Sequence, residues 1–113
     1  MPRNMSFSIT TEQVRNRTKT VTRRNGWWNL KVGDILNAVE KGMGLKKGER
    51  VKVICQIRVK SAKAEQLSYI NGNEIIKEGF PEMTKAEFVE MFIKSHKGVE
   101  HSSYINRIEF EYL

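Results

Sequence analysis

Apolar and polar positions alternate most regularly in the middle of the chain. Val51, Val53, Cys55, Ile57 and Val59 fall on one face and Lys52, Gln56, Arg58 and Lys60 on the other, with Ile54 the apolar exception. This predicts a strand over Val51–Lys60 with one side in a core and the other wet and basic. The same period returns at the end of the chain, where Ile108, Phe110 and Tyr112 alternate with Arg107, Glu109 and Glu111 and predict a half-buried strand over Asn106–Leu113. Between them the period changes. Thr84-Lys85-Ala86-Glu87 reads as a capping box that opens a helix, on which Phe88, Met91 and Phe92 take the i, i+3, i+4 spacing of a buried stripe. A further helical stretch is expected near Gly72–Lys77.

The first half of the chain carries shorter signals. Ser6–Ile9 reads as extended, and Thr10 with Gln13 three residues later fits another capping box, predicting a short helix through about Arg17. Thr18–Thr22 favours an extended conformation running into an Asn25-Gly26 turn. Lys31-Val32-Gly33-Asp34 is a second turn signal, and a short strand over Ile35–Val39 follows it. Lys41–Gly48 holds three glycines and three lysines in eight residues and reads as a mobile basic loop. Several short strands and few helices, without regular β-α alternation, predict a small mixed α+β domain on a curved or closed antiparallel sheet.

A chain of 113 residues is long enough to bury roughly two-thirds of its unfolded surface as one domain spanning 1–113, without disulfide or metal. The single cysteine, Cys55, lies in the strand pattern and reads as a buried, inert thiol. The N-terminal residues lack the apolar stretch of a signal peptide, and no later run reaches the length of a membrane span. The expectation is a cytoplasmic protein without a membrane partner. The net charge of +7 is unevenly spread: residues 1–63 carry fifteen Lys/Arg against four Asp/Glu, whereas residues 64–113 carry five against nine. A basic half of that strength attracts polyanions.

The cations are densest at residues 15–28, where five of them, three threonines and the pair Trp27-Trp28 share fourteen positions. Cations bind phosphate and indoles stack on bases, so Arg17, Arg23, Arg24, Trp27 and Trp28, with Lys46 and Lys47 of the glycine loop and Arg58 on the wet strand face, are the candidate nucleic-acid contacts. Adjacent residues of an extended segment face opposite ways, so one indole is expected in the core and the other free. No Walker-type phosphate loop stands in the sequence. His96 and His101 have no nearby cysteine and read as surface histidines, so neither a metal site nor a cofactor is expected. Lys19 and Thr22 can share a definite chemistry, since a desolvated lysine among other cations can take the proton of a threonine hydroxyl, with a carboxyl group as proton donor to the leaving group. Solvated cations and strand threonines are the alternative reading of the same residues. In an extended segment Lys19 and Thr22 point to opposite sides, so their meeting requires a kink or convergence across a barrel mouth.

The order of a short helix, Lys19-Thr20-Val21-Thr22 followed by Arg24, then Val32-Gly33-Asp34-Ile35-Leu36, a long basic strand, Glu78-Gly79-Phe80 before a helix and a closing Ile108-Glu109-Phe110 resembles the ASCH domain. The resemblance spans roughly residues 5–113. It implies a PUA-like small β-barrel with two or three short helices and a role in reading or processing RNA. One small branch of that family comprises bacterial N4-acetylcytidine amidohydrolases. Its pattern implies Lys19 as general base, Thr22 as nucleophile and Glu78 as proton donor, with RNA or a modified nucleoside as partner. A non-catalytic RNA-binding module and a ribonuclease on the same fold are the alternatives.

Overall fold

The computed structural model describes residues 2–42 and 45–113, so Met43 and Gly44 of the glycine-rich loop lie outside the described residues. The elements run β1 (Arg3–Ser6), α1 (Thr11–Arg15), β2 (Val21–Arg24), β3 (Ile35–Val39), β4 (Val53–Gln66), a 3-10 turn (Leu67–Tyr69), α2 (Gly72–Lys77), α3 (Lys85–Ser95) and β5 (Tyr104–Tyr112). The strands form one sheet in the order β1-β3-β4-β5-β2. Every neighbouring pair is antiparallel except β1 and β3, which are parallel. A parallel pair needs a crossover, and α1 with β2 supplies it.

The long strand β4 is the spine of the sheet, and it runs six residues past the predicted Lys60. Its ladder with β5 shifts between Val59↔Phe110 and Ser61↔Glu109, which leaves Lys60 as an extra residue. Such a bulge bends the strand and reverses which parity faces inward. Ile57 and Val59 are buried before it and Ala62 packs against the core after it, so the alternation changes phase where the period-2 reading stops. At the other end, Val53 is exposed where core was expected. Pairing with β5 begins only at Ile57, so Val53 has β3 alone beside it.

The sheet curls into a half-barrel accompanied by three helices, an α+β fold. Its inner face buries Met5, Phe7, Leu36, Ile57, Ile108 and Phe110, joined by Val14 of α1. A second core forms where α2 and α3 cover the far ends of β4 and β5, from Leu67, Ile70, Ile75, Phe88, Phe92 and Ile105. Each such side chain contributes about 1.5–3 kcal/mol by leaving water. The edge strands β1 and β2 are joined by a side chain. Arg24 Nη2 donates to the Ser6 carbonyl oxygen at 2.7 Å, with the guanidinium over the Phe7 ring at 4.8 Å. Among the described residues no helix is long and apolar enough to cross a membrane.

The capping box at Thr84 forms in both directions, Glu87 N–H to Thr84 Oγ1 and Thr84 N–H to the Glu87 carboxylate. Thr84→Ala is expected to cost about 1 kcal/mol of stability, measured as a lowered urea midpoint without a change in slope. The box expected at Thr10 does not form. Thr10 precedes α1 without a side-chain capping bond, the helix ends at Arg15 rather than near Arg17, and Gln13 Nε2 donates instead to the Gly79 carbonyl at 3.1 Å. Strand β1 likewise starts and ends earlier than the extended Ser6–Ile9 expectation.

Candidate functional site

Residues 18–20 are held on several sides before β2 begins. The Thr18 and Lys19 amides donate to Gln13 O, the Thr20 amide to Lys77 O at 2.8 Å, and the Tyr112 hydroxyl to Lys19 O. These bonds join α1, α2 and β5 around one short segment and fix where the Lys19 side chain starts. Burial pushes the Tyr112 phenol up to about 12, so it stays a donor at neutral pH. Glu78 comes from 59 positions further along the chain, at the C-terminus of α2. Gly79 takes φ +98°, its amide bonds Ile76 O and that of Phe80 bonds Ile75 O, which together form a Schellman turn. A Cβ on Gly79 would stand 2.9 Å from Gln13 Cγ, so close packing as well as backbone conformation calls for glycine.

The two segments meet in the interior. Lys19 Nζ donates to Glu78 Oε1 at 2.9 Å and to the Glu78 carbonyl at 2.7 Å, with both side chains almost wholly buried. Arg23 Nη1 donates to Glu78 Oε2 at 3.0 Å, and its Nη2 to Glu65 at 2.9 Å and Glu74 at 2.8 Å. Arg107 grips both oxygens of Glu74. The guanidinium bonds, from Arg107 first and Arg23 next, hold the Glu74 carboxyl down to about 2. Desolvation pulls Lys19 below the ordinary lysine range. Arg24 and Arg23 add to that shift, while the Glu78 carboxylate opposes it.

A cleft of about 240 Å³ opens beside this cluster. Its lining combines the polar group Lys19, Thr22, Arg23, Arg24 and Glu78 with the apolar and aromatic side chains of Ile9, Phe80, Phe88, Met91 and Phe92 and the His96 ring. Thr22, Arg23 and Arg24, consecutive residues of the edge strand β2, all line it. Thr22 is buried, and Arg24 Nε donates to its Oγ1 at 3.0 Å. That contact occupies a lone pair and leaves the hydroxyl proton to be given away. Burial lowers the Arg24 guanidinium to about 10, partly offset by Glu78.

The remaining candidate contacts are dispersed. Arg23 has no exposed side-chain surface and is surrounded by carboxylates, so its charge is committed to Glu65, Glu74 and Glu78 rather than offered to a phosphate. Trp28 is 56% exposed and free, whereas Trp27 packs against the core with φ +60° and Arg3 over its ring at 5.1 Å; neither lines the cleft. Arg17 lies over the Tyr112 ring at 5.3 Å, Arg58 pairs with Glu111 at 3.2 Å, and Lys46 and Lys47 are exposed in their loop. The Phe88-Met91-Phe92 stripe proves to be core and cleft wall at once. His96, read as a surface residue, also lines the cleft, and no sequence signal marked it.

The Glu74 shift gives a pH dependence. A carboxyl lowered from 4.5 to about 2 on folding stabilises the fold fully above pH 4.5 and loses that contribution as pH falls toward 2. The urea midpoint should therefore fall between pH 5 and pH 2.5, and Glu74→Gln should flatten that part of the profile.

No protein-family model matches the chain, and no curated protein does. Solved structures do. The hypothetical protein PH0355 superposes with TM-score 0.71 at 17% identity, covering all of both chains. Protein EF3133 from Enterococcus faecalis, of the DUF984 family, superposes with TM-score 0.72 at 12% identity, over all of this chain and 76% of that one. An ASCH domain from Lactobacillus crispatus gives 0.65 at 14% identity, over 98% of this chain and 79% of that one. The fold is ASCH-like.

Proposed function

We propose that this protein is an amidohydrolase acting on an N-acylated nucleoside of the N4-acetylcytidine type, with Thr22 as nucleophile, Lys19 as general base and Glu78 as proton donor. The observation that carries the reading is the buried Lys19–Glu78 pair on the wall of the cleft that Thr22 also lines. Transfer of one proton across their 2.9 Å hydrogen bond leaves a neutral amine and a neutral carboxylic acid, the base and the acid that amide cleavage requires. Desolvation of Lys19 favours that neutral form.

In this mechanism Thr22 Oγ1 attacks the acyl carbonyl carbon while its proton passes to Lys19. The C–N bond then breaks as Glu78 protonates the departing nitrogen, leaving an ester on Thr22. Water hydrolyses the ester, releasing acetate and restoring the hydroxyl. Arg24, bonded to Thr22 Oγ1, supplies positive charge beside the oxygen as it loses its proton. The apolar wall suits the flat base and its acyl methyl. The test is incubation with N4-acetylcytidine and assay for free cytidine and acetate; absence of both from folded protein refutes the reading.

A second reading, RNA binding without turnover, draws on the exposed Trp28 indole and the exposed Arg17, Lys46 and Lys47 outside the cleft. It predicts salt-dependent RNA affinity that falls on Trp28→Ala and is indifferent to Thr22→Ala. A ribonuclease on this fold would instead shorten the RNA.

A further inference from the structure

His96 caps the C-terminus of α3, and its imidazole lies on Phe92 with ring centroids 4.0 Å apart and planes 12° from parallel. Its Nδ1 stands 2.9 Å from the Phe92 carbonyl oxygen and 3.1 Å from Ser95 Oγ. The Ser95 hydroxyl directs its own hydrogen to the carbonyl of Met91 or Phe92, at 2.9 and 3.1 Å. Both neighbours of Nδ1 are therefore acceptors, and Nδ1 must carry the hydrogen. In the neutral ring this makes Nε2 a lone-pair acceptor, and no described residue hydrogen-bonds to it.

The rest of the cleft gives that acceptor a meaning. In the lining that His96 shares, Lys19 and Arg24 are donors, and both carboxylate oxygens of Glu78 are taken by Lys19 and Arg23. An acceptor with a fixed tautomer on the aromatic wall complements this set. We propose that His96 is a specificity-determining residue whose Nε2 accepts a hydrogen bond from an N–H or O–H group of a nucleoside held in the cleft. The inference rests on reading the cleft as a nucleoside site and adds the residue that recognises the ligand. The stack on Phe92 and the Nδ1 bonds fix the ring before ligand arrives, so little ordering remains to oppose the contact.

The test compares the wild type with His96→Phe, which keeps a ring for the stack but has no acceptor, and His96→Gln, which places an amide oxygen near the Nε2 position. Binding of cytidine and N4-acetylcytidine is measured by titration calorimetry, acetate release alongside it, and melting temperature controls for folding. His96→Phe should weaken cytidine binding about tenfold, and His96→Gln should recover most of the loss. Wild-type affinity in His96→Phe, or equal weakness of both variants, overturns the proposal. Cytidine binding by the wild type without acetate release refutes the hydrolase but leaves the His96 result standing. Acetate release with an unchanged KM in His96→Phe refutes His96 alone, and a wild type that binds neither nucleoside refutes both.

Discussion

Thr22→Ala is expected to abolish acetate release from N4-acetylcytidine, by at least about 10³-fold in kcat, while nucleoside binding stays within a few fold of wild type. The expectation follows from what the substitution removes. In the proposed mechanism Thr22 Oγ1 is the one protein atom that bonds the substrate carbon, whereas the ligand contacts proposed above are those of Arg24, His96 and the aromatic lining. The fold should tolerate the change, because alanine fits a buried strand position and the Arg24 guanidinium keeps its bond to Ser6 O and its place over Phe7. Thr22→Ser should retain measurable turnover, since it keeps the hydroxyl. Substantial activity in Thr22→Ala would remove Thr22 from the nucleophile role and turn attention to a water activated by Lys19.

Lys19, Thr22 and Glu78, which the resemblance to the ASCH domain picks out in the sequence, line one cleft. Their setting was not legible in the sequence. Glu65 and Glu74 belong to no motif; they matter because a long strand and a short helix deliver them to one guanidinium, and ion partners forty to fifty positions apart leave no local periodicity. The capping box read at Thr10 and Gln13 does not form, because the Gln13 amide takes the Gly79 carbonyl, a tertiary partner in place of the local one. The far half of β4 was hidden for a different reason. The bulge at Lys60 reverses the inward parity, so a reader of period-2 alternation loses the strand where the chain bends. His96 is identified by its stack on Phe92 and its place in the cleft, neither of which is expressed in spacing.

Arg23→Met should be the most destabilising single substitution in the charge cluster, by about 3–5 kcal/mol, read from urea unfolding at neutral pH. Arg23 has a fully covered guanidinium that answers Glu65, Glu74 and Glu78 together. Removing it leaves Glu74 with Arg107 and Lys77, and the buried Glu78 with Lys19 as its one remaining ion pair among the described residues. Arg23→Lys should recover only part of the loss, because one ammonium cannot reach three separate carboxylates as a planar fork does. Coupling supplies a sharper check. Glu78→Gln removes one of the charges that Arg23 compensates, so the double variant Arg23→Met/Glu78→Gln should lose less than the two single losses added together. A cost below about 1 kcal/mol for Arg23→Met would mean that the carboxylates are satisfied elsewhere. The basic run that suggests a phosphate strip in the sequence thus divides its labour. Arg23 spends its charge on Glu65, Glu74 and Glu78, Lys19 pairs with the other oxygen of Glu78, and Arg24 is bonded to Thr22 and to the Ser6 carbonyl.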